Sequence, residues 1–224
     1  MEIRRYFLQQ KTVMKTTWLG KLLIGLFLIF LVYGSHNFFL DYATSFISAK
    51  DTTSPAELIV IESWQYPSIA SIKASLQLLS NGMGKTIFLT EYPFSKSNTL
   101  SDATSPPYYY DILSLLFKGE GHDFGKVKMI PVLTRDPVTW NTAVTVVDTI
   151  STQGYHSMIL VSPWHHSRRS CDAYTKAGEQ KGVKVFCKPV EEYPRKDSWW
   201  KSDIGLSTVF SEIVKRIYYL ANAI

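Results

Sequence analysis

The chain has very little cysteine, since only Cys171 and Cys187 occur among its 224 residues. It contains no Cys-x-x-Cys pair and no cluster of metal-ligating side chains, so a zinc site is not expected. It also shows no internal repeat and no segment of low complexity. This composition indicates an ordinary globular protein with one full core and an additional hydrophobic segment.

Excess positive charge is confined to the beginning of the chain. Of the 24 basic and 19 acidic residues, five basic residues and one acidic residue lie at positions 1–21. The remainder has a net charge of about +1, whereas a nucleic-acid-binding domain needs a basic face of its own. The sequence therefore predicts no nucleic-acid partner.

A long apolar run follows the basic segment. Residues 22–40 contain no charged side chain, and a helix of this length spans about 28 Å, close to the thickness of bilayer hydrocarbon. By the positive-inside rule, five basic residues place the N-terminus in the cytoplasm: Arg4, Arg5, Lys11, Lys15 and Lys21. We expect a single-pass cell-membrane protein with a cytoplasmic segment 1–21, a transmembrane anchor 22–40, a linker 41–56 and an exported domain 57–224. A cleaved signal peptide is the alternative, although Ile47-Ser48-Ala49 is a poor cleavage sequence.

Beyond the linker, apolar strand-like runs alternate with segments of helical length. The predicted strands cover residues 58–61, 86–89, 127–133, 158–161 and 183–186. The predicted helices cover residues 69–79, 109–117, 138–150, 167–180 and 206–220. Short continuous runs rich in β-branched residues are typical of buried parallel strands. The pattern predicts an α/β fold, with a Rossmann-like parallel sheet and helices on both faces.

The two cysteines are predicted to lie at similar heights on a neighbouring helix and strand. Counted from the turn between these elements, Cys171 lies about 15 Å along the helix and Cys187 about 13 Å along the strand. An oxidising compartment favours a disulfide between them, which stabilises by roughly 3 kcal/mol. Two buried free thiols are the alternative.

The turn after the fourth strand is the richest in chemistry, with the sequence Ser-Pro-Trp-His-His-Ser-Arg-Arg at positions 162–169. The carboxyl end of a parallel strand and the first turn of the next helix favour anionic ligands. We expect Arg168 to hold a phosphate and His165 to serve as acid or base, because residues three apart share a helix face. His166 and Arg169 are expected to point away. A buried, hydrogen-bonded His165 is the alternative.

Other polar residues follow strands that end at the same edge. Glu62 comes directly after the first strand, and we assign it as a catalytic partner of His165, with a helix-capping role as the alternative. Ser162 ends the fourth strand, while Asn141 and Thr142 lie near the start of a helix. These three residues, like Arg168, are candidates for ligand binding. No metal site is expected, and no cofactor is indicated.

Two long loops after strands remain open to two interpretations. Residues 92–107 are rich in Ser, Thr and Pro, and residues 189–203 contain Trp199 and Trp200. Such loops can form a lid over a site at the sheet edge. Alternatively, the tryptophans pack on the domain or touch a lipid interface.

Two motifs resemble the ElyC/SanA/YdcF family. One is the Asn141-Thr142 pair near a helix start, and the other is Ser162-x-Trp164-His165-x-x-Arg168, where the family usually has Tyr in place of Trp. The similarity covers about residues 57–220, and near its end Glu212 and Tyr218-Tyr219 match a Glu and an aromatic of the family pattern. The resemblance implies an anchored Rossmann-like domain with a role in envelope and peptidoglycan-precursor maintenance.

The chain departs from that family at two places. Glu62-Ser63-Trp64 stands where the family has a glycine-rich turn, and Val144-Thr145 replaces a Glu-Asn pair. These differences imply a divergent member with altered or absent chemistry. A cytoplasmic relative is associated with S-adenosylmethionine, so the resemblance implies methyl transfer only if the domain faces the cytosol.

Taken together, the residues and the resemblance lead to one functional expectation. We expect an extracytoplasmic envelope protein that binds, and as an enzyme would process, a phosphorylated or otherwise anionic cell-surface precursor, either a small molecule or lipid-linked. A non-catalytic scaffold or ligand-binding protein on the same fold is the alternative.

Overall fold

A five-stranded, all-parallel sheet is the centre of the fold. The computed structural model describes residues 17–63, 66–92, 107–132 and 135–222. The strands are β1 (Leu58–Ile61), β2 (Ile87–Glu91), β3 (Val127–Pro131), β4 (Ser157–Pro163) and β5 (Lys184–Val190). The helices are α1 (Trp18–Ile47), α2 (Ile69–Ser80), α3 (Pro107–Gly119), α4 (Val138–Thr152), α5 (Ser167–Lys181) and α6 (Asp203–Ala221). The predicted α/β class and the alternation of strands and helices are confirmed.

The strand order is β3-β2-β1-β4-β5. From β1 the chain adds β2 and β3 on one side, and it then crosses back to add β4 and β5 on the other side. In the ladder, Ile59 of β1 pairs with Ile87 of β2 and with Ile159 of β4. Because successive side chains of a strand point to opposite faces, every residue of β1 is buried by helices on one side or the other. This is the Rossmann-like arrangement that the sequence predicts.

The two faces of the sheet carry separate cores. Leu58 and Val60 of β1 belong to the core formed with α4 and α5, which contribute Ala143, Val146, Ala173 and Tyr174. Ile59 and Ile61 belong to the core formed with α2 and α3, which contribute Ile72, Leu76, Leu113 and Phe117. Helices therefore cover both faces, and only the ends of the strands remain available for a site.

Helix α1 is long and apolar enough to cross a membrane, which confirms the candidate span. The chain divides into two compact units, Met1–Asp41 and Tyr42–Ile224. The helix continues through residues 42–47, which we expected to be linker. Within the second unit this end is held by packing: Ile47 is buried, and Trp199 donates a hydrogen bond from Nε1 to Thr44 Oγ1 at 3.0 Å. The basic residues at positions 4–15 lie outside the described residues.

The segment after α1 runs beside β5 at the edge of the sheet. The backbone N–H of Thr52 donates to the carbonyl of Cys187, and Thr52 Oγ1 accepts from the N–H of Cys187. Asp51 pairs with Lys188 at 2.6 Å. On the same strand, Cys187 forms a disulfide with Cys171 of α5, with the Cα atoms 5.9 Å apart. The predicted cysteine pairing is confirmed.

The loop between β5 and α6 is pinned to the domain. Trp164 is fully buried and donates from its indole Nε1 to the carbonyl of Pro194 at 2.6 Å. Trp199 is buried as well, so packing on the domain is the correct interpretation for this tryptophan. Gly205 allows the short 3-10 helix Trp199–Lys201 to approach α6, because a Cβ there would lie 2.0 Å from the carbonyl oxygen of Trp199. The other proposed lid, residues 92–107, falls almost entirely outside the described residues.

Candidate functional site

A cavity of about 940 Å³ opens at the carboxyl ends of β1 and β4. These two strands are neighbours whose following helices turn to opposite faces of the sheet, which makes this edge the topological switch point where open α/β sheets bind ligands. The lining residues come from five parts of the chain: Glu62 and Ser63, Tyr92, Asp136 to Thr139, the turn after β4, and α6.

The turn after β1 is fixed by both neighbouring strands. The N–H of Glu62 donates to the carbonyl of Val161 in β4, and the N–H of Ser63 donates to Thr90 Oγ1 in β2. Glu62 is only 5% exposed, and the helix that follows is capped by Ser68. The capping alternative for Glu62 is therefore wrong, and its side chain faces the cavity.

A network of five charged side chains forms one wall of the cavity. Glu62 Oε1 lies 3.6 Å from His166 Nε2, and the other ring nitrogen of His166 lies 3.4 Å from Glu212 Oε2. Arg169 donates to both oxygens of Glu212, at 2.9 to 3.1 Å. Lys215 reaches the same carboxylate at 2.9 Å. Glu212 thus has three cationic neighbours and links α6 to the start of α5.

Arg169 is buried and contacts side chains of both α4 and α6. It is 8% exposed, and besides Glu212 it donates to the hydroxyl of Thr139 at the start of α4. Its guanidinium carbon lies 5.2 Å from the centre of the Tyr219 ring. The Tyr219 hydroxyl in turn accepts from the N–H of Trp140 at 3.2 Å. Because the guanidinium group of Arg169 is planar, it can satisfy all these partners in only one orientation. The wall of the cavity is therefore rigid here.

The charges of this network shift the pKa values of its members. Burial lowers the pKa of His166 and so does the repulsion from Arg169, but the negative charge of Glu62 and hydrogen bonds to Glu212 and Glu62 outweigh them and raise it to about 9. Burial acts to raise the pKa of Glu212, yet His166, Arg169 and Lys215 hold it well below its usual range. The carboxylates around His166 thus favour its protonated form, although Nη2 of Arg169 lies 2.8 Å from its Nδ1, and Glu212 is an anion at neutral pH.

Two polar atoms beside this network lack a hydrogen-bond partner among the described residues. They are Oε2 of Glu62 and the hydroxyl of Ser63, both buried, and both residues line the cavity. Buried polar atoms in folded proteins are nearly always satisfied, by protein, water or ligand. The carboxylate oxygen accepts hydrogen bonds, so this corner of the cavity suits a ligand that donates one.

Tyr92 forms the deep wall next to Glu62. Its hydroxyl lies 2.7 Å from Thr142 Oγ1, which is fully buried in α4. Burial, together with the nearby negative charge of Glu62, raises the pKa of Tyr92 well above its usual value. Tyr92 is therefore a neutral phenol, and Thr142 contributes to the site only by orienting it.

The structure changes the assignment of the His and Arg residues. Helix α5 begins at Ser167 with His166 as its N-cap, so His165 precedes the helix and does not share a face with Arg168. Arg168 does not line the cavity, and its Nε lies 3.4 Å from Asp172 Oδ1. Instead His166 and Arg169, also three residues apart, face the cavity. Our expectation that this second pair points away is wrong.

His165 nevertheless reaches the cavity from the turn itself. Its Nε2 lies 3.6 Å from Glu192 Oε1, and its buried Nδ1 has no hydrogen-bond partner among the described residues. The turn is shaped by Trp164, whose N–H donates to the carbonyl of Val190, and by His166, whose N–H donates to that of Pro163. His165 and Glu62 are both in the lining, whereas His166 is the imidazole in contact with Glu62.

The remaining predicted ligand-binding residues do not line the cavity. Asn141 donates its side-chain amide to the carbonyls of Arg135 and Pro137, so it stabilises the entry into α4. Ser162 is buried near the end of β4, one residue before the lining begins. Asp136, which is not among the predicted site residues, lines the cavity, while Pro137 occupies the N-cap position of α4.

Sequence reasoning missed Arg169, Thr139, Tyr92 and Lys215 as site residues. The available signal was Glu212, which the resemblance matched to a family position: a carboxylate on the last helix needs a cationic partner near the sheet edge.

Among the described residues, no group of three or more His, Cys, Asp and Glu side chains is arranged to hold a metal ion. No protein-family model matches the chain, and no curated protein matches it.

Proposed function

We propose that this chain is a membrane-anchored, extracytoplasmic envelope protein that binds a phosphorylated or otherwise anionic cell-surface precursor in the cavity between β1 and β4. The observation that carries the proposal is the charged wall at the switch point of the sheet. There, three cations (His166, Arg169 and Lys215) contact two carboxylates (Glu62 and Glu212), so this wall carries one positive charge in excess, while Asp136 lies in another part of the lining.

The start of α5 adds to the attraction for an anion. Its N-cap residue, His166, lines the cavity and makes no side-chain capping bond. The first backbone N–H groups of an α-helix lack partners within the helix and carry partial positive charge. A phosphate oxygen is a suitable acceptor for such groups. The ligand would then meet the helix end and Lys215 without displacing the bidentate pair of Arg169 and Glu212.

Two further features support the extracytoplasmic location. The five basic residues before the candidate span favour a cytoplasmic N-terminus, and the domain follows the span. The domain also carries the Cys171–Cys187 disulfide, and disulfides persist mainly in oxidising compartments outside the cytosol. Both point to an exported domain and against a role with a cytosolic cofactor.

The resemblance to the ElyC/SanA/YdcF family fits this proposal in part. Glu212, which that resemblance singled out, is the residue that joins the cations of the cavity wall. The motif arginine Arg168 instead pairs with Asp172 outside the cavity. We therefore propose a divergent member that keeps the family's site location and uses a different arginine.

A non-catalytic binding role is the second candidate, and the saturation of Glu212 favours it. Both Arg169 and His166 are held by this carboxylate, so neither is free to follow a reacting group. An enzyme would have to rely on Glu62, whose Oε2 makes no hydrogen bond among the described residues, with His166 fixed beside it. Incubation with a phosphate ester distinguishes the two: release of phosphate that is lost in Glu62→Gln supports an enzyme.

Binding is tested with the full chain in phosphatidylcholine nanodiscs, using glucose 1-phosphate and glucose as charged and uncharged probes. We expect calorimetry to detect only the phosphate ester, with about tenfold weaker binding in Lys215→Ala. Lys73→Ala is the matched control, because Lys73 is a similarly exposed lysine of α2 paired with Glu120. Equal binding of both probes would contradict an anion site.

A further inference from the structure

Helix α6 exposes an apolar strip along its outer side. The strip consists of Phe210, Val214, Ile217 and Tyr218, whose exposed fractions are 59%, 65%, 53% and 51%. Their spacing of three and four residues places them on one side of the helix. The ionisable Glu212 and Arg216 lie on the inner side and are buried. Large contiguous apolar patches on a folded surface mark binding sites.

This α6 strip is continuous with the cavity. Val214 and Tyr218 are half exposed on the outer side and at the same time line the cavity, whereas Phe210 and Ile217 do not line it. Lys215, between the two shared residues in sequence, brings its ammonium group to Glu212 on the charged wall. Apolar side chains therefore form a continuous surface from the cavity along the outer side of α6. Lys215 lies where this surface meets the cavity.

We propose that the α6 strip binds the hydrocarbon chain of the ligand whose anionic head occupies the cavity. The ligand class is an amphiphile with a phosphate head and an alkyl or prenyl chain. This inference rests on the proposed function and specifies its substrate class. From Phe210 to Ile217 the strip covers about 10 Å of helix, enough to contact several methylenes, and each buried methylene strengthens binding about fourfold.

The shared residues favour this occupant over two others. A second copy of the chain or the surface of a bilayer could cover the outer side of α6. Neither would explain why Val214 and Tyr218 also line a charged cavity. A hydrocarbon chain attached to a phosphate needs both surfaces at once. Phe210 and Ile217 contact only the chain in this arrangement, so they separate chain binding from head binding.

The test uses the full chain in phosphatidylcholine nanodiscs and a twelve-carbon alkyl phosphate with a diazirine at the end of the chain. Irradiation should label residues of the α6 strip, as mapped by mass spectrometry. If between three and four of its six additional methylenes are buried, octyl phosphate should compete at a concentration about 100-fold lower than ethyl phosphate. Phe210→Ser should reduce the labelling at least fivefold and leave ethyl phosphate binding unchanged. Ile204→Ser, an equally exposed aliphatic at the start of α6, is the control.

The possible failures are distinct from one another. Labelling of the strip that neither phosphate competes for means that it faces lipid, and cross-links between two copies mean that it is a dimer contact; each overturns the inference. Binding of ethyl phosphate with no advantage for octyl phosphate also overturns it and leaves the proposed function intact. If neither phosphate binds, the proposed function itself fails.

Discussion

Helices α2 and α6 each pack one side against the domain, but they differ in the residues that this side carries. Helix α2 buries Ile72, Leu76 and Leu78 against the sheet and leaves Lys73 exposed. This is the ordinary distribution for a helix of a globular protein, in which apolar burial is the main source of stability.

Helix α6 departs from this distribution. Beside Val209 and Tyr219 it buries two charged residues, Glu212 and Arg216, while three large apolar residues are exposed: Phe210, Val214 and Ile217. The periodicity that predicts a helix is the same in both cases, but it does not reveal which side faces inward. The comparison teaches that α2 is shaped by the core alone, whereas α6 also carries buried charges: Glu212 lines the cavity, and Arg216 pairs with Asp172 outside it.

The largest expected effect comes from removing the buried charge of α6. Glu212→Ala should lower the free energy of unfolding by about 4 kcal/mol, because it leaves Arg169 and protonated His166 without their carboxylate. Urea denaturation of the full chain, followed by tryptophan fluorescence, measures this. Replacing both partners, as in Arg169→Met with Glu212→Leu, should cost less than the sum of the single changes. A loss below about 1 kcal/mol in Glu212→Ala would show that the inner side of α6 is not a core element.

The corresponding change in α2 should be somewhat smaller. Ile72 is 1% exposed, and Ile72→Ala should lower the free energy of unfolding by about 3 kcal/mol through lost burial and a residual cavity. Ile69→Ala, on the exposed side of the same helix, should change it by less than about 0.5 kcal/mol. Similar values for the two variants would remove the contrast between the two sides of α2.

A pH titration sharpens the comparison, because α2 buries no charged side chain and α6 does. The pKa of His166 is about 9 when folded and about 6.5 when unfolded, so the folded state binds the proton more tightly. This stabilisation is complete below pH 6.5 and is lost as the pH rises through 9. We expect the free energy of unfolding to fall by about 3 kcal/mol between pH 6.5 and 9.5.

His166→Gln is the control for this titration, since glutamine does not titrate. The decrease between pH 6.5 and 9.5 should be largely absent in this variant. An unchanged decrease would assign the effect to another group. The measurement stops at pH 9.5 because the pKa values of Tyr92 and Tyr174 are raised in the fold, so that ionisation of these tyrosines on unfolding would add a second decrease above pH 10.

The smallest effect is expected on the outer side of α6. Phe210→Ser removes a large apolar side chain that is 59% exposed, so the free energy of unfolding should change by less than about 0.5 kcal/mol. A phenylalanine in the core would cost several times more. A clear loss of stability in denaturation experiments would mean that the outer side is covered in the protein as it exists, and the contrast with α2 would disappear.

The sequence predicted the fold well because buried parallel strands leave a strong local signal. All five strands and the five helices after the linker appear near their expected positions, and β1 has the predicted bounds. The predicted Cys171–Cys187 pairing followed from the expected oxidising compartment and from the rise per residue of a helix and a strand. Each of these features depends on near neighbours in the chain or on the regular geometry of one helix and one strand.

The site was predicted less well because it depends on which side of a helix meets the cavity. Helix α5 begins at Ser167, as predicted, but the pairing of His165 with Arg168 required His165 to be helical already. Successive helix positions differ by about 100°, and the sequence does not reveal which side of α5 meets the cavity, where His166 and Arg169 lie. Glu62 was predicted correctly to face the cavity because it follows the strand directly.

The contacts of residues 51 and 52 with β5 protect an edge of the sheet against pairing with other chains. An uncovered edge strand offers unpaired backbone groups to other chains and promotes aggregation. Thr52 occupies such groups at Cys187. Proteolysis just after α1 would therefore do more than remove the candidate span: we expect it to loosen the cover of a sheet edge and to leave a fragment prone to self-association.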